Sequence, residues 1–233
     1  MMSLTPGAVE AASTVGPGLH IPDGFVSTPV AIVGWIAMIA AVAVAVRMTN
    51  RQLNDRAVPL MGIMAAFIFA AQMMNFPVAG GTSGHMLGGV LAAILLGPWA
   101  AIIVMTAVVG LQAILFQDGG IAALGVNIFN MGVLTALTGY AITKAASSFT
   151  GGNQTATLVV AFVAAWVSVE LAAILTSVQL AISDTSPLDV SLPAMVGVHA
   201  LIGIGEGLIT AAALGFIMTT RADLLPQAPA TQR

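Results

Sequence analysis

The chain has 233 residues, of which 58% are hydrophobic and only 6% charged, and its formal net charge is -3. So little charge cannot cover the surface of a soluble domain, and six Lys and Arg against nine Asp and Glu offer no basic face to nucleic acid. With no cysteine, disulfides, thiolate metal sites and cysteine nucleophiles are excluded together.

Residues 1–18, MMSLTPGAVEAASTVGPG, lack the basic start and continuous apolar stretch of a signal peptide. They read as a disordered or non-native prefix. Residues 19–221 read as one transmembrane domain, which carries the candidate metal site described below, and 222–233 as a cytoplasmic tail. Crossing the hydrocarbon core takes about 20 apolar residues per helix. Apolar runs fall at 28–46, 58–77, 85–97, 99–116, 126–145, 156–181 and 195–219. This pattern predicts an all-α integral membrane protein, a bundle of about seven transmembrane helices in the lipid bilayer. The third run is short and stops at Gly97-Pro98. Segments three and four are therefore expected to form a tight helical hairpin or a broken unit lining a cavity. Ala37, Ala41 and Ala45 on segment one, and Gly203 and Gly207 on segment seven, form small-residue stripes that permit close helix packing.

Arg47, Arg51 and Arg56 lie between segments one and two, Lys144 ends segment five, and Arg221 and Arg233 follow segment seven. Seven crossings with the N-terminus outside put all six basic residues on the cytoplasmic side, as the positive-inside tendency requires. The expected location is a bacterial-type cell membrane, crossed several times, with the C-terminus in the cytoplasm.

Three stretches could carry chemistry. The lead-in GLHIPDGF, residues 18–25, sets His20, Pro22 and Asp23 just before segment one. GGTSGHMLGG, residues 80–89, surrounds His85 with glycines that allow close backbone approach, and Thr82 and Ser83 supply hydroxyls. DGGIAALGVNIFNMG, residues 118–132, carries Asn127 and Asn130, three apart and hence on one face of an α-helix. Those amides either orient an imidazole or join helices, and both roles stay open. The topology gathers His20, His85 and His199 at one membrane face. Glu170 and Glu206 are carboxylates within apolar segments, where charge is costly and a role is expected. Glu206 shares a helical face with His199 and is expected to tether or protonate it.

Nitrogen donors without thiolates suit nickel, cobalt, copper or zinc better than magnesium or calcium. A residue followed by histidine at a free N-terminus is a special case. Its amine, the histidine amide nitrogen and the imidazole can form fused chelate rings, and a second imidazole could complete a square plane. That geometry suits Ni(II) or Cu(II) and disfavours tetrahedral zinc. A rival from another class is an intramembrane serine protease of rhomboid type. GTSG at 81–84 fits the pattern around its serine, with Ser83 as nucleophile and His199 as base. The histidine and asparagine that such enzymes carry on an earlier helix are missing.

HIPDGF, GGTSGHMLGGVLAAILLGPWA, FQDGGIAALGVNIFNMG and HALIGIGEGLIT together resemble the CbiM/NikM family, from Leu19 through segment seven. These are the substrate-binding membrane components of energy-coupling factor transporters for cobalt and nickel. The resemblance implies a seven-helix bundle that is not an enzyme and holds no permanent cofactor. Its substrate would be Co2+ or Ni2+. It implies as partners a transmembrane coupling subunit, two ATPase subunits and, in cobalt systems, a small accessory membrane subunit. As implied metal donors it gives the N-terminal amine, the amide and ring of His20, and the ring of His85. Asp23, Ser83, Asn127, Asn130, His199 and Glu206 are candidates for supporting those donors. Where the family has its terminal methionine this chain has Leu19, and an internal Leu19 has no amine to offer. The working polypeptide is therefore expected to begin at residue 19. Initiation at a leucine codon or proteolysis after Gly18 would each expose that amine.

Overall fold

The computed structural model describes residues 20–51, 57–74, 76–77 and 83–225. The expected prefix 1–18, Leu19, Arg56, Thr82 and the end of the expected tail beyond residue 225 lie outside the described residues, as does the Ser83 side chain. Seven α-helices follow in chain order: α1 Thr28–Asn50, α2 Ala57–Gln72, α3 Gly89–Leu96, α4 Pro98–Phe116, α5 Leu124–Thr150, α6 Gln154–Ile182 and α7 Leu188–Thr220. Five of them, α1 and α4 to α7, are long and apolar enough to cross a membrane, and α2 is a shorter apolar helix. Between α2 and α3 a two-residue ladder pairs Phe76 with Gly84 and Pro77 with Ser83. The fold is all-α, as the apolar runs predict.

Local chemistry sets most of the ends. Pro29 stands in the first turn of α1, where a missing N–H costs nothing. Asn153 caps α6 by accepting from the Ala156 N–H at 3.0 Å. Gly97, at φ 79° and ψ 165°, breaks the chain between α3 and α4, and Pro98 opens α4. One expected boundary moves. Segment seven is expected from residue 195, yet α7 starts at Leu188 and carries Pro193 inside it. Pro193 is the sixth residue of α7, so it forfeits one backbone hydrogen bond, the one its N–H would have given the Asp189 carbonyl.

Segment three also differs from expectation. Only Gly89–Leu96 is helical, which at about 1.5 Å per residue spans about 12 Å and cannot cross a bilayer alone. Residues 85–88 approach it as irregular chain and meet Glu206, past the midpoint of α7. Segments three and four are thus a broken unit. The short helix is the centre of the bundle: Val90, Leu91, Ala92 and Ala93 are buried. Small residues let it in, since a Cβ on Gly139 of α5 would lie 2.6 Å from Val90. Irregular backbone at this depth is tolerated because protein, not lipid, surrounds it.

Outward-facing side chains of α1, such as Ile32, Val33, Ile36 and Ile39, are exposed, as a lipid-facing helix requires. The Gly203 and Gly207 stripe packs within the chain, against Trp166 and Phe162 of α6, and the Trp166 indole N–H donates to the Ala200 carbonyl at 3.1 Å. Residues 129–134 of α5 wind as a π-helical turn, which changes the facing of the polar side chains around it.

Candidate metal centre

Residues 20–27 form a strap along one end of the bundle, tied at both ends. Ser27 N–H donates to the Ser183 hydroxyl at 2.9 Å, and Thr185 donates to the Phe25 carbonyl at 2.5 Å. Asn127 acts like a neighbouring strand. Its Oδ1 accepts from the Ile21 N–H at 3.1 Å and its Nδ2 donates to the Ile21 carbonyl at 3.0 Å. The Asp23 carboxylate accepts from the N–H groups of Ile121 and Ala123, each at 3.1 Å, and so holds the α4–α5 loop against the strap. Glycines permit that approach. A Cβ on Gly119, already at φ +93°, would sit 2.7 Å from the His20 Cβ, and one on Gly120 would overlap Asp23.

His20 is 4% exposed. Its amide N–H donates to Asp118 Oδ1 at 3.3 Å, and its ring Nδ1 donates to the Asp118 carbonyl at 3.1 Å. A carbonyl only accepts, so the proton is assigned to Nδ1 and a lone pair to Nε2. Nε2 is buried and has no hydrogen-bond partner among the described residues. A buried polar atom left in this state calls for an explanation.

His85 enters from the chain before α3 and is 7% exposed. Its Nδ1 donates to the Met86 carbonyl at 2.8 Å, which again leaves Nε2 with the lone pair. The His20 and His85 rings stand edge to face, with centroids 5.4 Å apart. Burial lowers the His20 pKa, with Asp118 opposing. Burial therefore keeps the His20 imidazole neutral at physiological pH, the form that ligates metals. For that reason the 3.9 Å separation of His20 Nδ1 and Asp118 Oδ1 is not a working ion pair.

His199 is carried by α7. Its own Nδ1 donates to the Met195 carbonyl one turn earlier in α7, at 2.7 Å. Among the described residues no three His, Asp or Glu side chains are grouped tightly enough to hold an ion. The described donor set is the two imidazoles, and Leu19 lies outside it.

The supporting candidates divide. Asp23 and Asn127 brace the strap that carries His20. Asn130 faces away from both imidazoles and joins α5 to α6, donating to Thr176 at 3.1 Å and to Gln179 at 2.7 Å, with Gln179 donating back at 3.0 Å. Glu206 makes no bond to His199. Both of its oxygens are engaged by the backbone N–H groups of Leu87 and Gly88, which corrects the tether expected from helical spacing. Ser83 is described only through its backbone, which pairs with Pro77.

Two participants escape a sequence reading. Asp118 holds His20 through both its carbonyl and its carboxylate, and the acidic residue before Gly119-Gly120 is the one visible signal of that turn. Gln72 bonds the Leu87 carbonyl at 2.7 Å. A lone glutamine ending an apolar run gives no hint of that partner.

Residues 20–224 match the family model described as the cobalt uptake substrate-specific transmembrane region. A relative from Haloquadratum walsbyi, whose name assigns it to metal transport, is 40% identical over 209 residues, 89% of this chain and 93% of the relative. The fused nickel transport protein NikMN of Rhodobacter capsulatus is 33% identical over 221 residues, 89% of this chain and 64% of the longer fused protein. A crystal structure of a truncated transition metal transporter superposes with a TM-score of 0.77 at 34% identity, covering 86% of this chain and 98% of that one.

Proposed function

The chain belongs to that family, the CbiM/NikM transmembrane components of cobalt and nickel uptake systems, and from this premise we propose that it captures Co2+ or Ni2+ between His20 and His85. It is the substrate-specific membrane component of an energy-coupling factor transporter, and not an enzyme. The observation that carries the site is the meeting of two buried imidazoles, His20 and His85, whose ring centroids lie 5.4 Å apart. Two neutral imidazoles and no thiolate select nickel, cobalt, copper or zinc over magnesium and calcium. The family restricts that set to cobalt and nickel. The terminal amine of residue 19 and the His20 amide nitrogen supply the remaining two donors in this reading, in a chelate that closes through His20 Nδ1 once the amide and Nδ1 are released from Asp118.

Capture alone does not move an ion against its gradient. The single lysine, Lys144, follows Thr143, so the sequence holds no Gly-Lys-Ser/Thr phosphate loop. The energy comes from partners: a coupling subunit in the membrane and two ATPases, with a small accessory membrane subunit in cobalt systems. The fused architecture of relatives such as the Rhodobacter protein supports assembly with further components. Cells that express this chain with its coupling and ATPase subunits should accumulate radiolabelled Co2+ or Ni2+. Cells that express the subunits without it should not. Equal uptake in the two would remove this chain from the transport step.

The reading sets the strap and both histidines on the outer face, with residues 47–57 and 144–155 on the cytoplasmic side. Membrane-impermeant thiol reagents should label Ser186→Cys in intact cells and spare Asn50→Cys until the membrane is opened. The reverse pattern would end this orientation.

A further inference from the structure

We propose that Glu206 and Gln72 are positioning residues of the metal centre, which clamp the Leu87 peptide from both sides and thereby fix the His85 ring. This rests on His85 as a metal donor. Leu87 N–H donates to Glu206 Oε2 at 2.6 Å and Gly88 N–H donates to Oε1 at 2.9 Å. The carbonyl of the same Leu87 accepts from Gln72 Nε2 at 2.7 Å. Both side chains are 1% exposed and project from otherwise apolar helices, Glu206 from α7 and Gln72 from α2.

A buried carboxylate is costly unless every lone pair is well used. Here it is spent on two adjacent amides that stand just before α3, beside Gly88 in its left-handed conformation at φ 84°. The next carbonyl upstream, that of Met86, accepts from His85 Nδ1 at 2.8 Å and sets the ring plane. The chain of contact therefore runs from α7 and α2 to the Leu87 peptide, to the Met86 carbonyl, to the His85 imidazole, and across 5.4 Å to His20. Residues behind a metal ligand that fix its orientation ordinarily carry roughly 10- to 100-fold of the affinity.

A residue that only completes the cap of α3 would change stability and leave the ion's environment alone. The two roles separate in Glu206→Gln. Glutamine keeps one acceptor and turns an NH2 group toward an amide N–H, so one of the two bonds becomes a donor facing a donor. The test uses the form of the chain that retains Ni2+, purified in detergent, and reads Ni2+ affinity by calorimetry, the visible ligand-field band of bound Ni2+, and thermal midpoint. Glu206→Gln should weaken Ni2+ binding by roughly tenfold or more and shift the band. Glu206→Asp, which keeps both acceptors but draws them back, should fall between. Glu170→Gln, a buried carboxylate of α6, should bind as wild type does.

Wild-type affinity and an unchanged band in Glu206→Gln would overturn the proposal whatever the thermal midpoint does. If that variant does not fold, Glu206→Asp decides by the same criteria. If neither folds, hydrogen exchange of wild-type peptides spanning Leu87 and Gly88 decides. Protection there that rises on Ni2+ binding supports the clamp, and unchanged protection overturns it. His85→Ala in the same assay separates the layers. If it binds as wild type does, the metal reading itself falls and the clamp with it. If only Glu206→Gln binds normally, the clamp alone falls.

Discussion

Replacing His85 with alanine leaves a protein that retains no Co2+ or Ni2+ through purification. The expectation follows from the donor count. The His20 and His85 rings, both buried, stand with centroids 5.4 Å apart, and His85 supplies one of the proposed donors. Four-donor sites bind with about 10–16 kcal/mol in all, so one donor is worth on the order of 3 kcal/mol, more than a hundredfold in affinity. Water replaces a lost donor poorly here, because the site is closed: His20 and His85 are 4% and 7% exposed. The ring also fills volume beside Met86, itself buried, so alanine leaves a cavity as well as a missing nitrogen. Ser83→Ala is the companion variant and should keep most of the metal. The measurement is metal content per polypeptide by mass spectrometry of the ion. Equal retention in wild type and His85→Ala would take His85 out of the site. Proteolytic activity lost in Ser83→Ala would contradict membership in a transporter family.

The contrast between α3 and its lead-in shows what a sequence can and cannot disclose here. Apolar runs located the helices because lipid demands the same answer at every position of a span. Residues 85–88 read as the start of a helix because Met86 and Leu87 are as apolar as any helical residue. What holds them out of a helix is Glu206, 119 positions away in sequence, and Gln72, 15 positions away. No local pattern reports such partners. Asn127 and Asn130 teach the same lesson at shorter range. Three residues apart on an α-helix they would share a face, but the chain enters a π-helical turn at Phe129. Asn127 consequently faces the strap while Asn130 faces α6. By contrast, the convergence of His20 with His85 was legible. Topology alone put both at one membrane face, and the glycines around position 119 in the α4–α5 loop left room for the first of them.

The largest effect of all should come from the residue just before His20. A chain whose first residue is residue 19 should bind Co2+ or Ni2+ tightly, and the same chain carrying residues 1–18 should bind it more weakly by several orders of magnitude. The reason lies in chelate geometry. A free amine on residue 19, the His20 amide nitrogen and His20 Nδ1, the last two released from Asp118, close two fused rings on one ion. The His85 ring then completes a plane suited to Ni(II). Acylating that amine within a longer chain removes its lone pair. It also removes the ring whose closure makes loss of the amide proton favourable, so two donors are lost together. Each is worth on the order of 3 kcal/mol, and the pair several thousandfold or more. The strap would still be in place, since Asn127, Asp23 and Ser183 hold it without reference to residue 19. The fold should therefore survive while affinity collapses. Two measurements check this: the N-terminal mass of the protein from its native host, and Ni2+ affinity of two purified forms, one beginning with methionine directly before His20 and one with all eighteen prefix residues. A native protein that keeps the prefix and binds as tightly as the short form would show that the amine is not a ligand. The donor set would then have to be rebuilt from His20, His85 and His199.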